Sequence, residues 1–144
     1  MFRWNMSLET GLEAIDHGRR QLLEAMADFF QILDNPALNQ KLVAERTGAI
    51  FTAMKAAFTA EDQYLKTRSE SEGSPHMATH AAFMLSYVEL CKKLVPKIKN
   101  IKQGQQACLE IYRNIDGGLY HHINDEALAY KHMVKHPAKA AEKA

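Results

Sequence analysis

Apolar residues recur every three or four positions through four long stretches of this chain, and no stretch of similar length alternates as a half-buried strand would. Each such stretch must bury one face, so the pattern commits the chain to helices packed on helices. The first runs from about Leu12 to Leu33, with Ile15, Leu22, Leu23, Met26 and Phe30 on its stripe, and "DNP" at 34–36 ends it. The second runs from about Gln40 to Arg68. It carries Ile50, Met54, Ala57, Phe58 and Leu65, with Glu61 as the polar exception, and the polar "SESEGS" at 69–74 closes it.

Ser74 followed by Pro75 reads as an N-cap and first-turn pair, so a third helix is expected from there to about Lys99. Its stripe holds His76, His80, Phe83, Met84, Tyr87, Cys91 and Leu94. "NIKQGQ" at 100–105 reads as the next turn. The fourth helix, from about Gln105 to His132, aligns Cys108, Ile111, Tyr112, Ile115, Leu119, His122 and Glu126. Short connections between four long helices favour an all-α, up-down-up-down four-helix bundle over residues 1–136, followed by a polar C-terminal tail at 137–144.

Composition narrows the function classes. A chain of 144 residues suits one domain with a core of its own, so a metal would be functional and not an obligatory staple. Eighteen basic and 17 acidic residues are spread along the chain, which disfavours nucleic acid and membrane surfaces as partners. Cys91 and Cys108 sit in apolar helical patterns, outside any CxxC. The N-terminal "MFRWNMSLETG" lacks the apolar core of a signal peptide, and the expected location is the cytoplasm.

His76 and His80 are four apart, so in a helix both imidazoles leave one face a turn apart. In a bundle, the later turns of the second and fourth helices can meet the first turns of the third, bringing Glu61, His76, His80 and His122 together. Three imidazoles and a carboxylate suit iron or zinc. The same residues also fit four separately satisfied polar groups in a core.

Four stretches resemble those of bacterial hemerythrins. "WNMSLETGLEAID" at 4–16 resembles the family's N-terminal arm and first-helix entry, and "FTAED" at 58–62 its HFxxEE motif. His76 and His80 resemble its HxxxH, and "GLYHHI" at 118–123 its WLxxHI. The resemblance implies a four-helix bundle with a metal site, but not the full diiron ligand set. The family's first-helix His falls on Arg19, its second-helix His on Ala57 and its bridging Asp on Ala127. Glu61, His76, His80 and His122 match the bridging Glu and the three His of one iron. The resemblance therefore implies one metal per chain, most simply iron, with zinc as the alternative, and O2 or NO as the small ligand bound or sensed.

Two further residues bear on the half-site that the resemblance empties. Arg19 lies on the inner stripe and is expected to pair with Glu61, replacing the second metal's charge; the alternative is an arginine head that snorkels to water. Glu126 is a possible additional ligand, or else a solvated charge beside Asp125. Gly118 stands where the family has Trp, and the smaller residue is expected to widen access to His122. Gly117 and Gly118 together imply close packing or a local break in the helix. His17, His121, His132 and His136 fall on other faces or near the tail and are read as outside the site. The competing readings are a metal-free bundle that binds a protein partner, a diiron protein with substitute ligands, and a one-iron enzyme, for which the sequence offers no general acid.

Overall fold

The computed structural model describes residues 4–68 and 70–136, so the tail at 137–144 lies outside the described residues. The described chain is helical throughout, without a strand: α1 (Glu13–Gln31), α2 (Gln40–Leu65), α3 (Glu70–Leu94), α4 (Ile101–Asn114) and α5 (His121–Lys135). A π-helical segment, Ile115–Tyr120, joins α4 to α5 in one continuous rod. The four rods pack together as a helical bundle, with the most extensive contact between α1 and α2. No described helix is long and apolar enough to cross a membrane.

The core follows the inner stripes. Leu22, Leu23, Met26 and Phe29 of α1 meet Val43, Ile50, Met54 and Phe58 of α2, and Tyr87, Cys108, Ile111 and Ile115 complete the cluster. Phe29 is the fully buried member of its pair, while Phe30 is half-buried against Tyr112. Both cysteines are free thiols, and burial pushes that of Cys108 up to about 11.

The N-terminal arm is tied to α1 by the buried carboxylate of Asp16, and at the surface by Glu9, whose Oε1 lies 3.4 Å from Arg20 Nη2. Asp16, itself buried, accepts hydrogen bonds from Thr10 N at 2.9 Å, Thr10 Oγ1 at 2.8 Å and Gly11 N at 3.2 Å. Gly11 takes φ +87°, the left-handed region that glycine enters without steric cost, which lets the chain turn onto the carboxylate. The arm then lays Leu8 into the core, and Lys131 of α5 donates to Ser7 O at 2.6 Å.

Helix boundaries differ from expectation in three places. α3 opens at Glu70 and not at Ser74, with Pro75 inside it. A proline this close to a helix start removes a single rung of the hydrogen-bond ladder, so the helix can extend past it. At the other end α3 stops at Leu94, and a 3₁₀ turn, Val95–Lys97, follows because Pro96 has no N–H with which to continue the ladder. α4 starts at Ile101, within the expected turn: Asn100 Oδ1 accepts from Gln103 N at 2.9 Å, and Gln103 Oε1 reaches back to Lys99 N at 2.7 Å. This N-cap outweighs the turn propensity of the neighbouring Gly104.

The π segment contains the paired glycines, Gly117 and Gly118. Ala107, Ile111, Ile115, Leu119, Ile123 and Ala127 are all buried and fall strictly every fourth residue. In an α-helix each step of four overshoots a full turn by about 40°, so a long row of fours winds off the buried face. A wider π turn corrects the drift. His122, two residues beyond the π segment, is thereby held on the inner face.

Candidate metal centre

Glu61 is the pivot of a buried polar cluster. It is 1% exposed on the last turns of α2, and Arg19 of α1, also 1% exposed, approaches it from one side. Arg19 Nε donates to Glu61 Oε1 at 2.7 Å, and Nη2 makes a close ionic contact with the same oxygen at 2.6 Å. The third guanidinium nitrogen, Nη1, reaches the carbonyl of Ile123 at 3.4 Å, and the guanidinium carbon lies 4.9 Å from the centre of the Tyr130 ring. Arg19 therefore does not snorkel. Its head is buried against an opposite charge.

The other oxygen of Glu61 faces the histidines. Oε2 is 3.3 Å from His80 Nε2, and both atoms are buried without a hydrogen-bond partner. Asp62 Oδ1 lies 2.7 Å from His80 Nδ1 and orients the ring; in the neutral form with the proton on Nδ1, Nε2 carries the lone pair. Phe58 stacks flat on the same imidazole, with ring centres 4.0 Å apart and planes 6° from parallel. The ring is thus locked by a hydrogen bond on one edge and an aromatic face on one side.

His122 enters from α5. Its ring centre lies 5.3 Å from that of His80 and 6.2 Å from that of His76, and its Nε2 is buried with no partner. Burial lowers its pKa to about 4, with the neighbouring charges adding smaller shifts, so the imidazole is neutral near pH 7. His76, at the start of α3, is partly buried and pairs through Nε2 with Glu126. That hydrogen bond raises the pKa of His76 above its usual value against the opposing effect of burial. Burial disfavours ionised Glu126 too, but the bond to His76 and the charges of His76, His122 and Arg19 outweigh it and hold the carboxyl below its usual value.

All four residues that sequence places in the site, Glu61, His76, His80 and His122, therefore lie in one cluster. Glu126 is not a solvated charge. It faces His76 directly, and its Oε1 is 4.0 Å from His122 Nδ1. The space beside Gly118 is not an opening to the site either: a Cβ there would lie 2.9 Å from Phe83 Cε1, and Phe83 packs against His122 with ring centres 5.1 Å apart. His17, His121, His132 and His136 are exposed.

Two members of the cluster are absent from the sequence-based site. Asp62 orients His80; its place directly after Glu61, within the acidic pair of "FTAED", is the signal for it. Tyr130 lies one turn beyond Glu126, fully buried, with its hydroxyl unpartnered. The i, i+4 step from Glu126 is the pattern that points to it.

The donors fit a borderline cation. Three imidazoles and a carboxylate are nitrogen and oxygen ligands of the kind iron and zinc accept, and three of the donor atoms, Glu61 Oε2, His80 Nε2 and His122 Nε2, are buried polar atoms without partners. At the same time, among the described residues no group of three or more His, Cys, Asp or Glu is placed so that it could hold a metal ion. His76 Nε2 is taken up by Glu126.

Fold and cluster together define a helical bundle with a buried histidine and carboxylate centre between α2, α3 and α5, backed by an arginine from α1. Comparison with protein-family models, curated proteins and solved structures finds no match for the chain.

Proposed function

We propose that this chain is a hemerythrin-like up-down-up-down bundle that holds one iron or zinc ion through Glu61, His76, His80 and His122 and binds a small exogenous ligand there. The observation that carries the reading is the pair His80 Nε2 and Glu61 Oε2. A lone pair and a carboxylate oxygen 3.3 Å apart in a buried site repel each other unless a proton or a cation lies between them. His122 Nε2, the third unpartnered donor, belongs to a ring whose centre lies 5.3 Å from that of His80. Arg19 supplies the fixed positive charge that balances Glu61 on the opposite side, in the place of a second metal.

Within this reading, Asp62 and Phe58 hold His80 in the ligating tautomer and orientation, burial keeps His122 neutral and able to donate, and Glu126 releases His76 or joins it as a further ligand. The bound ion supplies an open coordination position for a small molecule such as O2 or NO. A metal-free bundle with a partner-binding role is the second reading, favoured by the satisfied pairing of His76 with Glu126.

The test is a metal count on protein purified without chelators. About one iron or zinc per chain is expected, lost in His80→Ala and His122→Ala and retained in His132→Ala. A count near zero, or equal retention in all three variants, overturns the proposal in favour of the metal-free bundle. A count near two points to a dinuclear site with Glu126 as substitute ligand.

A further inference from the structure

Far from the histidine cluster, the surfaces of α2 and α3 leave a groove. Ala44, Gly48 and Phe51 of α2 line it together with Val88, Cys91 and Val95 of α3 and the turn that follows, and its cavity volume is about 430 Å³. Thr47, also in its lining, lies roughly 20 Å along α2 from Glu61. The groove exists because an alanine and a glycine one turn apart carry too little side chain to fill the space beside α3. A Cβ added at Gly48 would meet no atom within 4 Å. The volume falls within the roughly 300–1,000 Å³ of small-molecule sites, which are mostly apolar with a few placed polar groups.

The polar groups deep in this groove are already spent. Thr47 and Tyr87 are buried in its lining; the Tyr87 hydroxyl donates to Thr47 O at 2.7 Å, and the Thr47 hydroxyl to Val43 O at 2.8 Å. The carbonyl of Val95 accepts from Gln40 Nε2 at 3.1 Å. Burial raises the pKa of the Cys91 thiol, so that wall is an uncharged, weakly polar one. Whatever lies inside must therefore be apolar, since a polar group there would find no partner to replace water. The rim differs. Among the described residues, the charged side chain that lines the groove is Lys92, which is exposed and paired with no carboxylate, and no acidic residue shares the lining.

We propose that this groove binds a medium-chain fatty acid, with the alkyl chain between α2 and α3 and the carboxylate at the Lys92 ammonium. The site is independent of any metal at the histidine cluster. From Ala44 to Phe51 the lining runs about 10 Å along α2, a length that an extended alkyl chain spans. Charge fixes the head group: a lone cation at the mouth of an apolar groove attracts an anion and repels a cation.

The probe is sodium decanoate, titrated calorimetrically into the full chain below its micelle concentration, with 1-decanol and decyltrimethylammonium as neutral and cationic counterparts. Saturable binding of decanoate is expected, tighter than of either counterpart. Lys92→Glu is expected to raise its dissociation constant about tenfold, as attraction gives way to repulsion, while Lys102→Glu on α4 leaves it unchanged. Gly48→Phe puts a ring in the groove and is expected to abolish binding, yet to melt no lower than wild type, because the added Cβ meets open space. Bound decanoate is also expected to slow alkylation of the half-buried Cys91 by N-ethylmaleimide, a readout that needs no variant. Absence of saturable binding, or binding that Gly48→Phe leaves intact with Cys91 unprotected, overturns the site. Decanol binding as tightly as decanoate, or a change of less than about threefold in Lys92→Glu, overturns the role of Lys92 and the choice of an anion.

Discussion

On the α1 and α2 side of the cluster the charges are paired and the backbones nearly touch; on the α3 and α5 side, donors stand buried without partners. Arg19 and Glu61 are each about 1% exposed and joined at 2.6–2.7 Å, while a Cβ on Gly18, the residue before Arg19, would lie only 3.0 Å from Ala57 Cα. Ala57 is the position where the hemerythrin resemblance sets a histidine, and the close helix contact leaves little room for one. His80 and His122, by contrast, each present a buried Nε2 with no hydrogen-bond partner. The closed half is a buried ion pair in which Arg19 Nη2 makes its ionic contact without a hydrogen bond. The unsatisfied half is where the proposed ion would bind. Glu61 joins the two, with one oxygen committed to each side.

The largest test of the contrast removes the cation from the closed half. Arg19→Ala leaves Glu61 buried and unpaired, and chemical denaturation is expected to show a loss on the order of 3–5 kcal/mol. Replacing both partners with apolar side chains, Arg19→Met with Glu61→Leu, should recover most of that loss, because it removes the desolvation cost of both charges. A loss below about 1 kcal/mol for Arg19→Ala would mean that water or another cation substitutes freely, and the two halves would not differ in kind.

The open half has its own signature in pH. The folded-state pKa of His122 is about 4 against an ordinary 6.5, so between these values the unfolded chain binds more protons than the folded one. Metal-free stability is therefore expected to fall as pH drops from about 6.5 and to reach its full loss below about 4. A shift of this size corresponds to on the order of 3 kcal/mol. His76 runs the opposite way: its pKa is raised by Glu126, so its contribution is fully present below 6.5 and is lost as pH rises through the raised value. In His122→Leu the acid-side slope should flatten. If denaturation curves of wild type and His122→Leu lose stability in parallel from pH 6.5 to 4, His122 is not buried in the neutral form.

Much of this arrangement is legible in the sequence, for a physical reason. Helical periodicity fixes which residues share a face, and four such faces in a short chain have few ways to pack, so Glu61, His76, His80 and His122 can be assigned to one interior. What periodicity cannot give is depth and direction along a rod. Glu126 and Asp125 are adjacent acidic residues near the end of a helix, and only the packing of α3 against α5 separates the one facing His76 from its exposed neighbour. The N-terminus of α3 is misjudged because Ser-Pro is a good start signal, yet one lost rung does not stop a helix. The π segment, however, is written in the sequence. Six buried positions spaced strictly by four, from Ala107 to Ala127, are a row that an unbroken α-helix would carry off the core face.

Three glycines sharpen the comparison at progressively smaller scale. Gly18→Ala pushes a methyl to 3.0 Å from the backbone of Ala57, which cannot yield without parting α1 from α2, and a cost of about 1–3 kcal/mol is expected. Gly118→Ala meets only the edge of the Phe83 ring at 2.9 Å; the ring can swing, so the cost should be lower, and it should appear together with a disturbed His122 environment in the NMR spectrum. Gly117 is exposed, has no neighbour within 4 Å of an added Cβ and lacks a positive φ. Alanine there meets no obstacle and reduces the freedom of the unfolded chain, so Gly117→Ala should stabilise the protein by about 0.4–1 kcal/mol. A measured destabilisation would show that the wide turn ahead of His122 needs the flexibility of glycine itself. The open half would then depend on a backbone geometry that Gly118 and Phe83 alone do not maintain.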